Sequence, residues 1–430
     1  MLRTGLLPLL GLLGALLLGT SAGAYEVPHL DATLHGFLDA RYGLRLQDDP
    51  YERGTSLAET RLQFSLTRLG ELSTLQLRAD IYADDVVAQD DLDLEEGSGW
   101  LDLREANLLV SPTYSTDIKI GRQILTWGTG DLLFINDVFP KDWQSFFSGR
   151  DVEYLKAPSD AVMVSLFPPW FNIDLVYTPR FDADRYIRGQ RLSYWNPQLG
   201  RIAGRDAVVA VARPDDWFSD DEWALRLSKN LAGYELALYG YRGFWKSPSG
   251  FDPERGRASF PELSVYGASL RGVLGSGIGN LELGYYDSRQ DRSGNDPLLP
   301  NSELRLLFGY EREVARDVTL AGQYYVEILQ DYDDYLKTLP TGQPERDEYR
   351  QLLTLRLTWL LLNQNLTASL FGYLSPSDAD YYLRPSLSYK LTDNWLLTAG
   401  ANLFGGDERH TFFSQFSDNT NIYAGLRYSF

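Results

Sequence analysis

The stretch "NIYAGLRYSF" at residues 421–430 puts Ile422, Ala424, Leu426, Tyr428 and Phe430 on one parity and Tyr423, Gly425, Arg427 and Ser429 on the other. Period-two alternation is the pattern of a strand whose two faces meet different environments. One face stays apolar up to Phe430, so the fold has to cover that face and leave no open sheet edge.

The pattern is repeated far upstream. In "LHGFLDARYGLRL", Leu34, Gly36, Leu38, Ala40, Tyr42, Leu44 and Leu46 oppose His35, Asp39, Arg41 and Arg45, with Phe37 the exception. In "LTLRLTW", Leu353, Leu355, Leu357 and Trp359 oppose Thr354, Arg356 and Thr358. Aromatic residues make up 13% of the chain, yet after residue 24 no apolar run is long enough for a spanning helix. A mean hydropathy of −0.28 excludes a helical membrane protein but suits a transmembrane barrel, in which only alternate residues meet lipid.

Connections alternate in length. Short ones fall near residues 69–71, 112–116, 168–170, 230–233, 275–277, 312–317, 362–364 and 392–394. Long ones fall near 47–57, 85–99, 128–160, 180–220, 244–261, 288–302, 331–348, 375–380 and 405–419. The expectation is therefore all-β: a single-chain transmembrane antiparallel β-barrel of about eighteen strands over residues 34–430, with sixteen as the alternative. Both termini fall on the short-turn side. On the apolar parity Trp359, Tyr389, Trp395, Tyr428 and Phe430 gather at short-turn ends, and Tyr177, Trp223, Tyr285 and Tyr381 at long-loop ends. Two aromatic girdles are what a barrel shows where it crosses two interfaces. A soluble β-sandwich has no reason to sort its aromatics this way.

Met1 and Arg3 precede the apolar run "GLLPLLGLLGALLLG", and Ala22–Ala24 has the small-x-small form of a signal-peptidase site. Residues 1–24 read as a cleaved signal peptide, because about 15 apolar residues fall short of the roughly 20 a spanning helix needs. Residues 25–33 then form a periplasmic N-terminal segment. With no cysteine, an exported chain has neither a disulfide scaffold nor thiolate chemistry. A formal charge of −19 makes nucleic acid an unsuitable partner.

Catalytic patterns are missing. The histidines are His29, His35 and His410, and there is no HExxH, GxSxG, phosphate-binding or dinucleotide-binding motif. The expectation is a protein without enzymatic activity, cofactor or metal.

The polar parity carries the informative charges. The expected inner wall holds Arg41, Arg45, Arg61, Arg78, Arg104, Lys119, Arg226, Arg305, Arg356, Arg384, Lys390 and Arg427. It also holds Asp39, Glu59, Asp80, Asp102, Glu105, Glu235, Glu282, Glu303 and Glu327. Base slightly outweighs acid there, so the net negative charge belongs in loops such as "DDLDLEEGSG" and "RPDDWFSDDEW". Those loops are a solvated exterior, a site for divalent-cation bridges to lipopolysaccharide, or an electrostatic filter at the mouth.

The loop at 128–160 is different. It carries Phe134, Phe139, Trp143, Phe146 and Phe147, which water would not tolerate, so it is expected to fold into the barrel or across its mouth as a constriction. A short helix is expected to start at Pro140. A bulge at Gly121 is expected to turn Arg122 inward and Leu125 and Trp127 outward.

The ending at Phe430 resembles the C-terminal signature of bacterial outer-membrane proteins, which implies recognition by the barrel assembly machinery. Gly121-Arg122-Gln123 followed by Trp127-Gly128 resembles the "GRQ…WG" segment of alginate-export-type outer-membrane porins and their uncharacterised relatives. That resemblance implies an eighteen-strand barrel and a passive channel function, with a basic lumen for an acidic polysaccharide. The functional expectation is a porin-like channel in the outer membrane of a Gram-negative bacterium. It passes polar or anionic solutes or a polysaccharide, with lipid and lipopolysaccharide around it and its oligomeric state open. The alternatives are a non-conducting docking barrel for an envelope complex and an outer-membrane hydrolase.

Overall fold

The computed structural model describes residues 25–27, 30–87 and 91–430; the expected signal peptide 1–24 and His29 lie outside them. Eighteen strands form one closed antiparallel barrel. They are β1 (Ala32–Arg45), β2 (Thr55–Leu69), β3 (Ser73–Asp84), β4 (Leu101–Thr113), β5 (Thr116–Gln123) and β6 (Ser159–Leu166). Next come β7 (Asn172–Thr178), β8 (Glu222–Leu231), β9 (Tyr234–Phe244), β10 (Glu262–Leu274), β11 (Gly277–Ser288) and β12 (Glu303–Ala315). The last are β13 (Val318–Leu329), β14 (Tyr349–Leu361), β15 (Leu366–Ser375), β16 (Asp380–Lys390), β17 (Trp395–Gly406) and β18 (Asn421–Ser429). A three-residue strand, Tyr25–Val27, folds back on the start of β1.

Each strand pairs with its neighbour in sequence, and the register from Phe37↔Ser429 to Arg45↔Asn421 joins β1 to β18. Closure leaves the barrel no unpaired edge, as a membrane requires, because lipid offers no hydrogen bonds to bare backbone. Phe430 extends that seam: its N–H donates to Gly36 O and its carbonyl accepts from Gly36 N, both at 3.0 Å. The Phe430 ring lies over Gly36, where an added Cβ would stand 2.4 Å from Phe430 Cζ. Only glycine leaves that space.

Burial runs inside out relative to a soluble protein. In β1, Asp39, Arg41 and Arg45 are buried while Tyr42 (54%) and Leu44 (43%) are exposed. The same holds for Leu355, Trp359 and Leu426, which stand outside next to inward Thr354 and Arg427. An apolar outer row is stable only against hydrocarbon, so the alternation is a two-solvent pattern.

The register runs through Gly121 without a slip on either side, so the expected bulge is absent. Gly121 instead adopts φ +114°, which a side chain would resist, and Arg122 keeps its strand parity. Arg122 needs no inward turn because it sits at the rim, where it pairs with Asp160 at 2.7 Å and donates to the carbonyls of Leu103 and Leu94. Leu125 and Trp127 correct a second expectation. They point into the lumen: Leu125 is 5% exposed, and the Trp127 ring meets Phe139 at 4.9 Å.

Candidate functional site

The segment between β5 and β6, residues 124–158, crosses the lumen. It first reaches β11, on which Glu282 acts as its anchor. One Glu282 oxygen accepts from Thr129 N and, at 2.7 Å, from Gly130 N; the other accepts from Asn136 Nδ2 at 3.0 Å. Gly128, at φ +80°, lets the chain approach: a Cβ there would lie 3.1 Å from Glu282 Oε1. Next, Asp131 binds Arg356 of β14 through two contacts of 2.6 and 2.7 Å, and its backbone exchanges hydrogen bonds with Gln323 of β13. Tyr373 of β15 donates to Leu132 O, and Tyr286 of β11 to Ile135 O.

A helix follows, Trp143–Ser148, starting later than the expected Pro140. Asp142 sets the start: its carboxylate accepts from Ser145 N at 2.7 Å, the bond that an N-cap supplies, whereas Pro140 lies before the cap, outside the helix. Gly149, left-handed at φ +94°, ends it. The helix turns Phe146 and Phe147 onto Tyr382 of β16 at ring distances of 5.9 and 5.3 Å, and Phe147 onto Phe404 of β17 at 5.5 Å. Trp143 closes on Phe134 at 6.0 Å. Beyond the helix, Gly149 O accepts from Arg41 of β1, Arg150 binds Glu59 of β2, Tyr154 donates to Asp80 of β3, and Lys156 O accepts from Arg104 of β4. Trp127 reaches Tyr239 of β9 and Asn136 reaches Ala268 O of β10. Contacts thus extend over β1–β4 and most of β9–β18, and the loop spans the bore instead of hugging one wall.

The wall cations expected from sequence are largely matched. Arg41 and Arg427 both bind Asp39, at 2.7 and 2.8 Å. Arg61 lies between Glu59 (2.8 Å) and Asp80 (2.5 Å), its guanidinium 4.5 and 4.4 Å from the Tyr82 and Tyr154 ring centres. Arg104 neighbours Asp102, whose two oxygens accept from the guanidinium of Arg185 in the 179–221 loop. Arg78 and Lys119 share Glu105, Arg226 binds Glu235, and Arg305 binds Glu303 and approaches Glu327. Arg45 donates to the carbonyls of Arg53 and Arg191. Arg384 differs: its guanidinium stands over the Phe146 ring at 4.3 Å, with no carboxylate partner among the described residues.

Part of this was readable. Asp39-x-Arg41, Glu59-x-Arg61, Asp102-x-Arg104 and Glu303-x-Arg305 are acid-x-arginine pairs, and residues i and i+2 of a strand share a face. The loop partners carried no such signal. Asp131, Arg150, Arg185 and Arg346 lie far in sequence from the residues they bind. The acidic loop after β3 is also partly neutralised, Glu95 by Arg180 and Arg213 and Glu96 by Arg188.

Above the plug the mouth holds two cavities. One, of about 700 Å3, has Trp143 and Phe147 at its floor and loop residues such as Trp195, Leu298 and Phe412 around it. The second, of about 570 Å3, is lined by Glu303, Arg305, Glu327, Arg346, Arg350 and Asp378. At the outer end of β8, Glu222 takes a hydrogen bond from Tyr241 and a salt bridge from Lys246 at 2.6 Å. Beside it, in the loop, the Asp182 carboxyl is pushed up to about 7, by burial first and by the Glu222 charge second.

No family model and no curated protein matches the chain. Solved structures do. OccAB3 of Acinetobacter baumannii is 12% identical over 93% of this chain and 99% of its own, with a TM-score of 0.54. OccAB4 of the same organism is 10% identical over 93% and 98%, with a TM-score of 0.55. OccD3 of Pseudomonas aeruginosa is 11% identical over 95% and 93%, with a TM-score of 0.51. None of these three names refers to alginate, so that finer resemblance still rests on residues 121–128 alone. At such identities the likeness is one of fold, and the fold is the eighteen-strand barrel of bacterial outer-membrane porins.

Proposed function

We propose that the protein is a porin-type channel of a Gram-negative outer membrane, held closed or narrowed at rest by the 124–158 loop. Solutes pass by passive diffusion when that loop yields. The observation that carries this reading is the loop itself, which crosses a lumen lined with charge and is fastened by hydrogen bonds and ion pairs, with no covalent tie. Matched arginines and carboxylates leave little net positive potential, so the slight basic excess of the wall favours anions only modestly and small polar solutes fit it best. Passage of a polysaccharide requires the loop to be displaced. The apolar outer row takes lipid, the exposed carboxylates Asp215 and Asp216 suit cation bridging to lipopolysaccharide, and insertion is the work of the barrel assembly machinery. No chemical step is assigned to any residue.

The same plug favours a second reading, a non-conducting docking barrel. Planar-bilayer recording separates the two. Wild type is expected to give small or rare openings, and a variant lacking residues 132–147 a larger, steady conductance. A correctly inserted deletion variant with unchanged conductance refutes the channel reading.

A further inference from the structure

The cavity of about 700 Å3 at the mouth has no charged side chain among its lining residues, although 23% of the chain is charged. Its volume lies within the range of small-molecule sites. Aromatic rings provide its floor and much of its wall, through Trp143, Phe147, Trp195 and Phe412. Most of its polar side chains are already committed. Asn196 accepts from Gln198 N and Leu199 N and donates to Tyr194. Gln415 accepts from Trp195 N and donates to Phe412 O, and Ser247 donates to Asp184.

These commitments decide the ligand class. An anion entering here would lose its hydration and find no cation. A sugar would bring a hydroxyl on most ring carbons, and each one left without a partner is costly. An uncharged ring with one or two polar groups needs neither. We propose that this vestibule is a binding site for an uncharged, ring-bearing, largely apolar solute, captured on the aromatic floor before the plug. The neighbouring cavity, with its Glu303–Arg305–Glu327–Arg346 network, shares Ser249, Pro297, Leu299, Phe412 and Gln415 with it and is the charged compartment that such a solute meets next. As a capture site for a transported solute it rests on the channel reading; as a binding site it does not.

The test is a saturation-transfer NMR titration of the full barrel in lipid nanodiscs at neutral pH. The probes are 2-naphthol, its anionic relative 2-naphthoate, and glucose. Partitioning into lipid is common to all variants, so the quantity read is the difference between wild type and Leu298→Glu, which places a charge in the cavity wall. Val208→Asp, at another wall position, is the second variant should the first perturb folding, with heat-modifiable gel mobility reporting the barrel. The expected result is saturable 2-naphthol binding, about tenfold or more tighter than that of 2-naphthoate or glucose, and weakened about tenfold by either folded variant. Equal or tighter binding of 2-naphthoate or glucose overturns the proposal. So does the absence of 2-naphthol binding, or binding that both folded variants leave unchanged. No current is measured, so a barrel that does not conduct still tests the site, and failure here leaves the channel reading standing.

Discussion

Replacing Glu282 by Gln should loosen the plug at its first anchor. The carboxylate accepts from Thr129 N and Gly130 N on one oxygen and from Asn136 N and Asn136 Nδ2 on the other, the last three at 2.7, 3.3 and 3.0 Å. Glutamine keeps one oxygen and presents an NH2 group where the other was, so two loop donors face a donor. Hydrogen bonds to a charged group contribute roughly 1.5–3 kcal/mol each, and a buried donor left unpaired costs roughly 1–3 kcal/mol. Two such losses bound the effect near 6 kcal/mol; water entering the lumen and adjustment of the loop bring it to about 2–4 kcal/mol. At 1.4 kcal/mol per factor of ten, the open population of the loop rises about thirtyfold to several hundredfold. The chain has no cysteine, so Ser148→Cys, at a position 0% exposed in the plug, supplies a unique thiol whose maleimide labelling reports opening. Labelling of Ser148→Cys should accelerate by at least about thirtyfold when Glu282→Gln is added. A rate unchanged within about threefold would mean that Glu282 does not hold the loop, and the anchoring argument fails.

Leu355→Arg or Leu426→Arg, on the lipid face, should destabilise the barrel by about 2–4 kcal/mol near the midplane, whereas Ser429→Arg on the other parity should be mild; equal shifts in a refolding titration refute the inside-out assignment. Asp182 is tied to Asp160 N and neighbours Glu222 and Lys246, and its raised folded pKa of about 7 means that the native loop holds the proton better than the unfolded chain does. Stability from that protonation is therefore full below the unfolded value and falls as pH rises toward about 7. Protection factors around residues 179–193, which divide out the intrinsic rise of exchange with pH, should fall between about pH 4 and 7, and Asp182→Asn should flatten that fall; an unaltered profile in the variant sinks the assignment. Converting Arg41, Arg61 and Arg356 together to Gln removes three lumen cations and takes the ion-pair partner from Asp80 and Asp131, while Asp39 keeps Arg427 and Glu59 keeps Arg150, so reversal potentials under a salt gradient should move toward cations; a move toward anions contradicts the pairing.

The barrel was legible because its cause is local. Alternation in stretches such as 34–46 and 353–359, together with turn spacing, fixes strand number and parity before any tertiary contact is considered, and Phe430 needs only its parity to be placed. The aromatics of residues 128–160 argue for a loop turned inward or across the mouth, because water would not tolerate them; Phe146 and Phe147 pack on Tyr382. No bulge is needed at Gly121, because Arg122 keeps the outward parity and has its partners there, Asp160 and the Leu94 carbonyl, which no local pattern announces. Pro140 misled because an N-cap bond from Asp142 outweighs a favourable first-turn residue. The counter-ions stayed hidden for a topological reason. Arg356 and Asp131 lie 225 residues apart, and only closure of the barrel brings them together.

The most direct test of a loop that spans the lumen is a disulfide between it and a distant wall. A Cβ placed at Gly267, on β10, would lie 2.9 Å from Asn136 Cγ, whereas the loop leaves and re-enters the wall at β5 and β6. In the cysteine-free chain, the pair Asn136→Cys and Gly267→Cys should close quantitatively under mild oxidant in the folded, membrane-inserted protein, read by mass and by thiol labelling before and after reduction. Two thiols that stay free and fully labelled under oxidant, in a barrel shown to be folded, would place the loop away from β10 and contradict the crossing of the bore.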